Sequence, residues 1–369
     1  MTTFSPQQDS ALTAVARWLE QKPGRGAPQV FRLFGYAGTG KTTLARHVAQ
    51  SIDGETRFCA FTGKAALVMR ERGCPDASTI HSLIYKPQNS GEETPSFFLW
   101  DEAPASKASL IVVDECSMVD AELGHDLLSF GVPVLVLGDP AQLPPVSGGG
   151  FFTAHPPDIM LTEVHRQAAD NPIIRLSMDV REGRPLVPGC YEASEIVEMN
   201  DLDPERVYEA DQVLVGRNVT RRNYNARLRQ VKGFDDDLPA AGDKLVCLRN
   251  KRRKSLYNGS LWTVGERAIS NRKQIISMKL VPEEAGLVGS VKVSVRPECF
   301  RGRIEDLDWS VRKRYEEFDF GYVLTVHKAQ GSQWDDVALF NEAFAFPDAQ
   351  ARWLYTGITR AARKLTLVI

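Results

Sequence analysis

Apolar runs of four to seven residues recur through the first half of the chain, separated by stretches with helical periodicity. "VFRLFG" (30–35), "RFCAF" (57–61), "LIVVDE" (110–115), "PVLVLGD" (133–139) and "IMLT" (159–162) are too continuously apolar for half-exposed strands. They predict strands covered on both faces. "KTTLARHVAQSI" (41–52) and "VDAELGHDLLSF" (119–130) read as the helices that cross between them. Alternation of this kind predicts an α/β fold built on a parallel, doubly wound sheet.

The second half begins in the same way, with "VLVGRNVTRRNYNARLRQV" (213–231) as a strand followed by a helix. From about Asp243 to Phe300 the pattern changes. "KLVCLRN", "SLWTVGERA", "QIISMKLV" and "SVKVSV" are short alternating strands, and Asn258-Gly259 predicts a hairpin turn between two of them. A small antiparallel, barrel-like β module is expected there. α/β character returns with the strands "YVLT" (322–325) and "DVALF" (336–340), the helix "AQARWLYTGITRAA" (349–362) and the strand "KLTLVI" (364–369). A second excursion, residues 86–107, is polar, bears Pro and Gly, and is aromatic in its middle. It is too long for an ordinary connection between elements.

Composition narrows the classes. With 369 residues, 43% hydrophobic and 25% charged, the chain is an ordinary globular protein of two-domain size. No apolar run is long enough to cross a bilayer, and the N-terminal stretch lacks the signal-peptide pattern, so a cytoplasmic location and no membrane partner are expected. The six cysteines (59, 74, 116, 190, 247 and 299) form no Cys-x-x-Cys pair, which argues against a zinc site or a disulfide framework. A net charge of -2 excludes a global polycation. Nucleic-acid binding would need local patches such as 217–229, 249–254 and 311–314.

The chemistry starts at "GYAGTGKTT" (35–43), which fits Gly-x-x-x-x-Gly-Lys-[Ser/Thr] between a strand and a helix. Glycines let backbone N–H groups curl around phosphate oxygens, and the helix N-terminus adds positive potential. Gly38, Thr39, Gly40, Lys41, Thr42 and Thr43 form this phosphate loop, with Lys41 for the β/γ phosphates and the Thr42 hydroxyl for Mg²⁺. Asp114, at the end of an apolar strand, is the second Mg²⁺ ligand, and Glu115 beside it is placed to activate water. "GDPAQLPPV" (138–146) leaves the neighbouring strand at the same edge. Gln142, held between prolines, is expected to sense the γ-phosphate and report it to another surface.

These motifs, in this order, resemble the superfamily 1 helicases of the RecD/Dda-like branch over most of the chain. The resemblance implies two RecA-like P-loop domains, 1–165 and 166–369, each with a β-rich insertion. The first insertion is a pin at 86–107 and the second an SH3-like module at about 240–315. "FSPQQDSA" (4–11) is similar to the adenine-reading motif, putting Gln8 on the base. "FTGKAA" and "STIHSL" match segments that hold a single strand, which implicates Thr62, Gly63, Lys64, Thr79 and His81. "LTEVHRQA" (161–168) and "LYTGITRA" (354–361) bring Arg166 and Arg360 as γ-phosphate arginines. "TVHKAQGS" (325–332) places Thr325, His327 and Lys328 near nucleic acid, with Gln330 and Gly331 toward the nucleotide cleft. Arg217 and Asn218 match a strand-binding segment loosely, and Phe97, Phe98 or Trp100 would form the pin tip. Two departures stand out, Gln333 for a commoner Glu and Gly357 for a commoner Ala or Val.

The resemblance implies a 5′-to-3′ motor on single-stranded DNA, using ATP and Mg²⁺ and opening duplex junctions. Replication or recombination proteins are its expected partners, and a monomer suffices because one chain holds both halves of the cleft. An RNA-translocating relative, a P-loop small-molecule kinase and a non-hydrolysing nucleic-acid-binding subunit are the alternatives.

Overall fold

The computed structural model describes residues 4–24, 27–87, 97–144, 150–163, 171–270, 274–283, 287 and 289–369. The first sheet is built from β1 (Val30–Gly35), β2 (Thr56–Ala60) and the short β3 (Ser78–Thr79). β4 (Tyr85–Pro87) and β5 (Phe97–Leu99) form a separate antiparallel pair. β6 (Leu110–Asp114), β7 (Val134–Gly138) and β8 (Ile159–Leu161) return to the first sheet. Its order is β3-β2-β6-β7-β1-β8, and every pairing is parallel. Leu110 and Val112 enter one core and Ile111 and Val113 the other, so both faces are dry. That is why these strands carry no polar alternation.

The second sheet takes β9 (Gly189–Tyr191), β10 (Ser194–Val197) and β11 (Gln212–Val215). The third takes β12 (Lys244–Cys247), β13 (Leu261–Ser270), β14 (Ile275–Pro282), β15 (Val291–Val295) and β16 (Phe318–Phe320). β17 (Val323–Thr325), β18 (Trp334–Phe340) and β19 (Ala361–Val368) complete the second. The second sheet runs β17-β11-β18-β19-β10-β9, parallel except for β9 at its edge. The third, β15-β14-β13-β12-β16, is antiparallel throughout. The chain is thus an α/β protein with two RecA-like parallel sheets, a β pair inserted in the first lobe and a five-stranded β module inserted in the second.

Three details differ from the sequence expectation. Asn258-Gly259 does form a turn, closed by Ser260 N–H on Tyr257 O at 3.0 Å with Gly259 at a positive φ of 88°. It lies within the long connection from β12 to β13, not in a two-residue hairpin, because Gly259 N–H is already bonded to Cys247 O at 2.8 Å. The helix read as 349–362 ends at Ile358, and β19 begins at Ala361, three residues before the predicted strand. The third sheet draws its last strand, β16, from beyond residue 315, and β9 and β10 went unread because they are short and mostly exposed on the β9 side.

The β module is tied to the second lobe by a buried ion pair. Arg229, on the helix Asn218–Val231, donates through Nε and Nη2 to both oxygens of Asp243 at 3.0 and 2.9 Å, and Tyr322 Oη donates to Asp243 Oδ1 at 3.0 Å. The guanidinium also serves Asp236 O and Leu238 O and lies over the Phe320 ring, so few of its donors are left to water. Removing one partner of such a pair strands the other charge in the interior. Asp243→Ala should therefore lower unfolding free energy by about 3–5 kcal/mol, read as a drop in urea midpoint. A change under 1 kcal/mol would mean the pair does not anchor the module.

Candidate functional site

The carboxyl ends of β1, β6 and β7 face a cavity of about 810 Å³ that the second lobe closes from the other side. After β1 the chain turns through Gly38 and Gly40, both at positive φ (77° and 82°), and Gly40 caps the helix Lys41–Gln50. A side chain would be strained at either position. Lys41 Nζ donates to Gly35 O at 2.7 Å and Tyr36 O at 3.0 Å, which lays the ammonium along the inside of the loop. Thr42 Oγ1 donates to Asp114 Oδ2 at 2.9 Å, while Asp114 Oδ1 accepts from Glu115 N–H at 2.8 Å. Glu115 itself adopts a left-handed backbone (φ 53°, ψ 44°), a conformation that costs a non-glycine residue about 1–3 kcal/mol and is kept mainly at functional sites.

The charges here share a half-buried seam. Burial pushes the Glu115 carboxyl above the ordinary glutamate range and Asp114 and Asp139 push the same way, while Arg360 and Lys41 oppose. Burial in turn lowers the Arg360 guanidinium, against the pull of Glu115 and Asp139. Arg360 is bonded within its own lobe, donating to Thr356 O, Ser332 O and Thr359 Oγ1 at 3.0, 3.0 and 3.1 Å. Gln142 is 8% exposed and lines the cavity, and its Oε1 has no hydrogen-bond partner among the described residues. An amide oxygen held dry and unpaired costs free energy unless something else supplies its donor.

Of the residues singled out in the sequence, Gly38, Thr39, Gly40, Lys41, Thr42, Thr43, Asp114, Glu115, Gln142, Gly331 and Arg360 all line this cavity. Gln8 does not. It is buried behind the phosphate loop, where Nε2 donates to Thr39 O at 3.0 Å, and it closes a capping box with Ser5 at the start of the helix Pro6–Glu20. Gln330 reaches across to Leu143 O at 3.0 Å. Arg166 and residues 145–149 of the Gln142 loop lie outside the described residues.

The residues expected at nucleic acid divide by exposure. Thr62 caps the helix Gly63–Glu71, Gly63 faces the Tyr257 ring so closely that a Cβ would lie 2.8 Å from it, and Lys64 is buried with Nζ 4.8 Å from the Trp334 ring centre. Thr79 caps the next helix, and Thr325 is buried, accepting from Lys328 N–H. His81, Asn218 and Lys328 are exposed, and Phe98 on β5 is 43% exposed. Trp100 lies under Lys86 at the foot of the β pair, whose far end (88–96) is outside the described residues. Arg217 is exposed but paired with Glu342, and His327 packs on Phe346.

Sequence reasoning missed Arg46 and Arg72, which also line the cavity. Arg46 Nε is buried without a partner, and Arg72 Nη2 donates to Gln333 Oε1 of the second lobe at 3.1 Å. Neither sits in a recognisable motif. Arg46 follows from helical spacing along the helix that the phosphate loop opens, whereas Arg72, the C-cap of the helix Gly63–Glu71, is brought to the cavity by tertiary packing. Gly357, the other departure noted, is explained by packing: a Cβ would meet Leu339 Cδ2 at 2.8 Å.

Two parallel sheets that converge on one cavity, with a phosphate loop in one and an arginine from the other, define a two-lobed P-loop architecture. The family model described as an AAA domain matches residues 6–201, more than half of the chain, and that of a UvrD-like helicase C-terminal domain matches 320–368. The chain is 30% identical over 363 residues to the ATP-dependent RecD2 DNA helicase of Deinococcus radiodurans, an alignment covering 89% of this chain and 45% of that protein. It is 34% identical over 166 residues to the ATP-dependent DNA helicase dda of Enterobacteria phage T4, covering 41% and 37%. The chain thus spans less than half the length of either relative. A Bacteroides Pif1 helicase, solved in complex with ADP-AlF3 and ssDNA, superposes with a TM-score of 0.59 at 17% identity over 99% of this chain and 92% of that one, a likeness of fold. The chain belongs to this AAA-domain family, and among its relatives it is similar to the RecD2 and dda helicases.

Proposed function

We propose that the chain is an ATP-dependent DNA helicase, a motor that steps 5′-to-3′ along single-stranded DNA and opens duplex ahead of it. The observation that carries this reading is the shared cavity, in which Lys41, Asp114, Glu115 and Gln142 of the first lobe face Arg360 of the second. A half-buried glutamate beside a phosphate loop, placed to activate water, suits an enzyme rather than a binding protein. The names of the relatives support DNA as the track, and the polarity follows their branch. The lobes are taken to divide near residue 165, with the pin at 86–107 and the β module beginning near 240.

In this reading Lys41 exchanges its loop carbonyls for the β and γ phosphates, and Arg46 and Arg72 add positive field at the rim. Thr42 and Asp114, an all-oxygen pair already 2.9 Å apart, suit Mg²⁺, which when bound neutralises charge on the phosphate oxygens. Glu115 takes a proton from the attacking water, which Gln142 orients through its unpaired amide oxygen. Arg360 stabilises charge on the transferring phosphoryl group, and Arg166 is the expected second arginine. Because Arg360 belongs to the other lobe, hydrolysis is fast only when the lobes are closed.

Strand contact is assigned to the exposed set His81, Arg217, Asn218 and Lys328, with His327 beside them and Phe98 on the pin. Gly63 and Lys64 lie under Tyr257 and Trp334, so with Thr62 beside them they reach a strand only as the second lobe shifts. Lobe position would then decide which contacts are offered, which is the requirement for stepping.

Steady-state ATPase measured with and without a dT oligonucleotide is the first test. Strong stimulation is expected, lost to background in Lys41→Ala; equal rates with and without DNA would refute the motor. Gln142→Ala should lose stimulation while retaining ATP affinity, measured as KM.

Acidity gives a second test. Glu115 works as a base only when ionised, and its pKa is raised, so turnover should rise with pH through a midpoint above the usual glutamate range. Glu115→Gln should flatten that limb and reduce kcat by about 10²–10⁴-fold, the usual worth of a positioned base. An unchanged acid limb in Glu115→Gln would assign the proton to another group.

A further inference from the structure

The helix Gln350–Ile358 sends two adjacent buried side chains out of the second lobe into the first. The Tyr355 hydroxyl accepts from Ala37 N–H at 3.1 Å, inside the phosphate loop, and donates to Asp139 Oδ2 at 2.6 Å. Thr356 Oγ1 accepts from Leu143 N–H at 3.0 Å, and Gln330 Nε2 donates to Leu143 O at 3.0 Å. Asp139 and Leu143 bracket Gln142, whose own N–H closes on Asp139 O at 3.1 Å. Two residues past the helix is Arg360, bonded back to Thr356 O. One tyrosine hydroxyl is therefore bonded to the phosphate loop and to the Gln142 loop at once, from the element that carries the cavity's arginine.

We propose that Tyr355 is the positioning residue that couples nucleotide binding to lobe closure: its hydroxyl locks the phosphate loop at Ala37 to the Gln142 loop at Asp139. The chemistry requires a hydroxyl, because the group must donate to a carboxylate and accept from an amide simultaneously. An Ala37 N–H aimed at Tyr355 is not aimed at a phosphate. Movement of the loop at Ala37 therefore either breaks this bond or carries the helix, and Arg360 with it. The same holds for movement of the Gln142 loop, which Leu143 binds to the helix a second time. The ring is 1% exposed and Asp139 2%, so water does not compete for either bond. The burial of the hydroxyl beside the Asp139 carboxylate keeps it protonated, as a donor to that carboxylate must be.

This inference rests on the motor reading for its consequence but not for its geometry, and the experiment separates the two. Tyr355→Phe retains the ring and deletes both bonds; Asp139→Asn weakens one of them; the double variant completes a cycle. Amide hydrogen exchange at Ala37 and Leu143 is followed without DNA, with ADP or a non-hydrolysable ATP analogue. The affinity for a dT oligonucleotide is then compared between the two nucleotides. In Tyr355→Phe we expect Ala37 to exchange faster and ATP KM to stay within about threefold. The analogue-to-ADP ratio of DNA affinity should fall about tenfold toward one, within the usual range of coupling between sites. The double variant should be no worse than Tyr355→Phe alone. A nucleotide dependence of DNA affinity that survives in Tyr355→Phe would overturn the proposal, as would additive losses in the double variant. Should the wild-type protein show no response to dT, the motor reading fails. The lock is then decided by exchange alone: it stands if the analogue changes protection at Ala37 and Leu143 together and Tyr355→Phe uncouples them, and falls otherwise.

Discussion

Arg360 brings a full charge into the seam between the lobes, and all three of its described hydrogen bonds go to neutral oxygens. Compensation comes at longer range from Glu115 and Asp139, both on the other lobe. Neither the guanidinium nor the Glu115 carboxyl is comfortable there, since burial disfavours the charged form of each. Arg360 and Glu115 attract each other across the seam, but desolvation outweighs that attraction at both groups, which is why the pKa of Glu115 is raised and that of Arg360 lowered. Such a seam responds strongly to one more ion. A triphosphate adds negative charge beside Lys41 and Arg360, and it changes the balance that keeps Glu115 facing Arg360.

That constraint explains why the seam is hydrogen-bonded where it is. Charges alone give attraction without register. Register comes from hydrogen bonds, those of Tyr355, Thr356 and Gln330, each with a direction and a length. All three end on residues flanking Gln142, so the loop cannot shift without the second lobe registering it. The β module adds a further contact through Tyr257 over Gly63 and keeps its own place by the Arg229–Asp243 pair. The second lobe therefore meets the first at the phosphate loop, at the Gln142 loop and at both ends of the helix Gly63–Glu71.

What the sequence disclosed follows from how local each signal was. The phosphate loop and the Asp114–Glu115 strand end need only spacing and a neighbouring apolar run, and their residues do meet around one cavity. Gln8 shows the opposite case. Ser5 and Gln8 have the spacing of a capping box, a local pattern as visible as the adenine-reading one, and the structure uses the glutamine for the cap and for Thr39 O. Tyr355 stood inside a quoted motif without a role, because its partners, Ala37 and Asp139, are more than two hundred residues away in the chain. Lys64 was expected at a nucleic-acid strand, and nothing near it in sequence announces Trp334. Strand order, too, is largely a long-range property: beyond the faces of each strand, only the adjacency of the Asp114 strand to the one before Gly138 was legible.

The buried Lys64 also bears on how the proposed motor would grip and release a strand. An ammonium under an indole ring is stabilised by the ring's quadrupole, by about 0.5–2 kcal/mol depending on solvent access. A phosphate offers an exposed lysine comparable stabilisation, reduced by salt. The two partners are therefore near enough in energy that modest lobe movement can decide between them. Trp334 is well placed to transmit such movement, since its backbone N–H bonds to Arg360 O at 2.9 Å where β18 begins beside β19. A shift of Arg360 toward bound phosphate would displace the strand that starts at Trp334 and with it the ring covering Lys64.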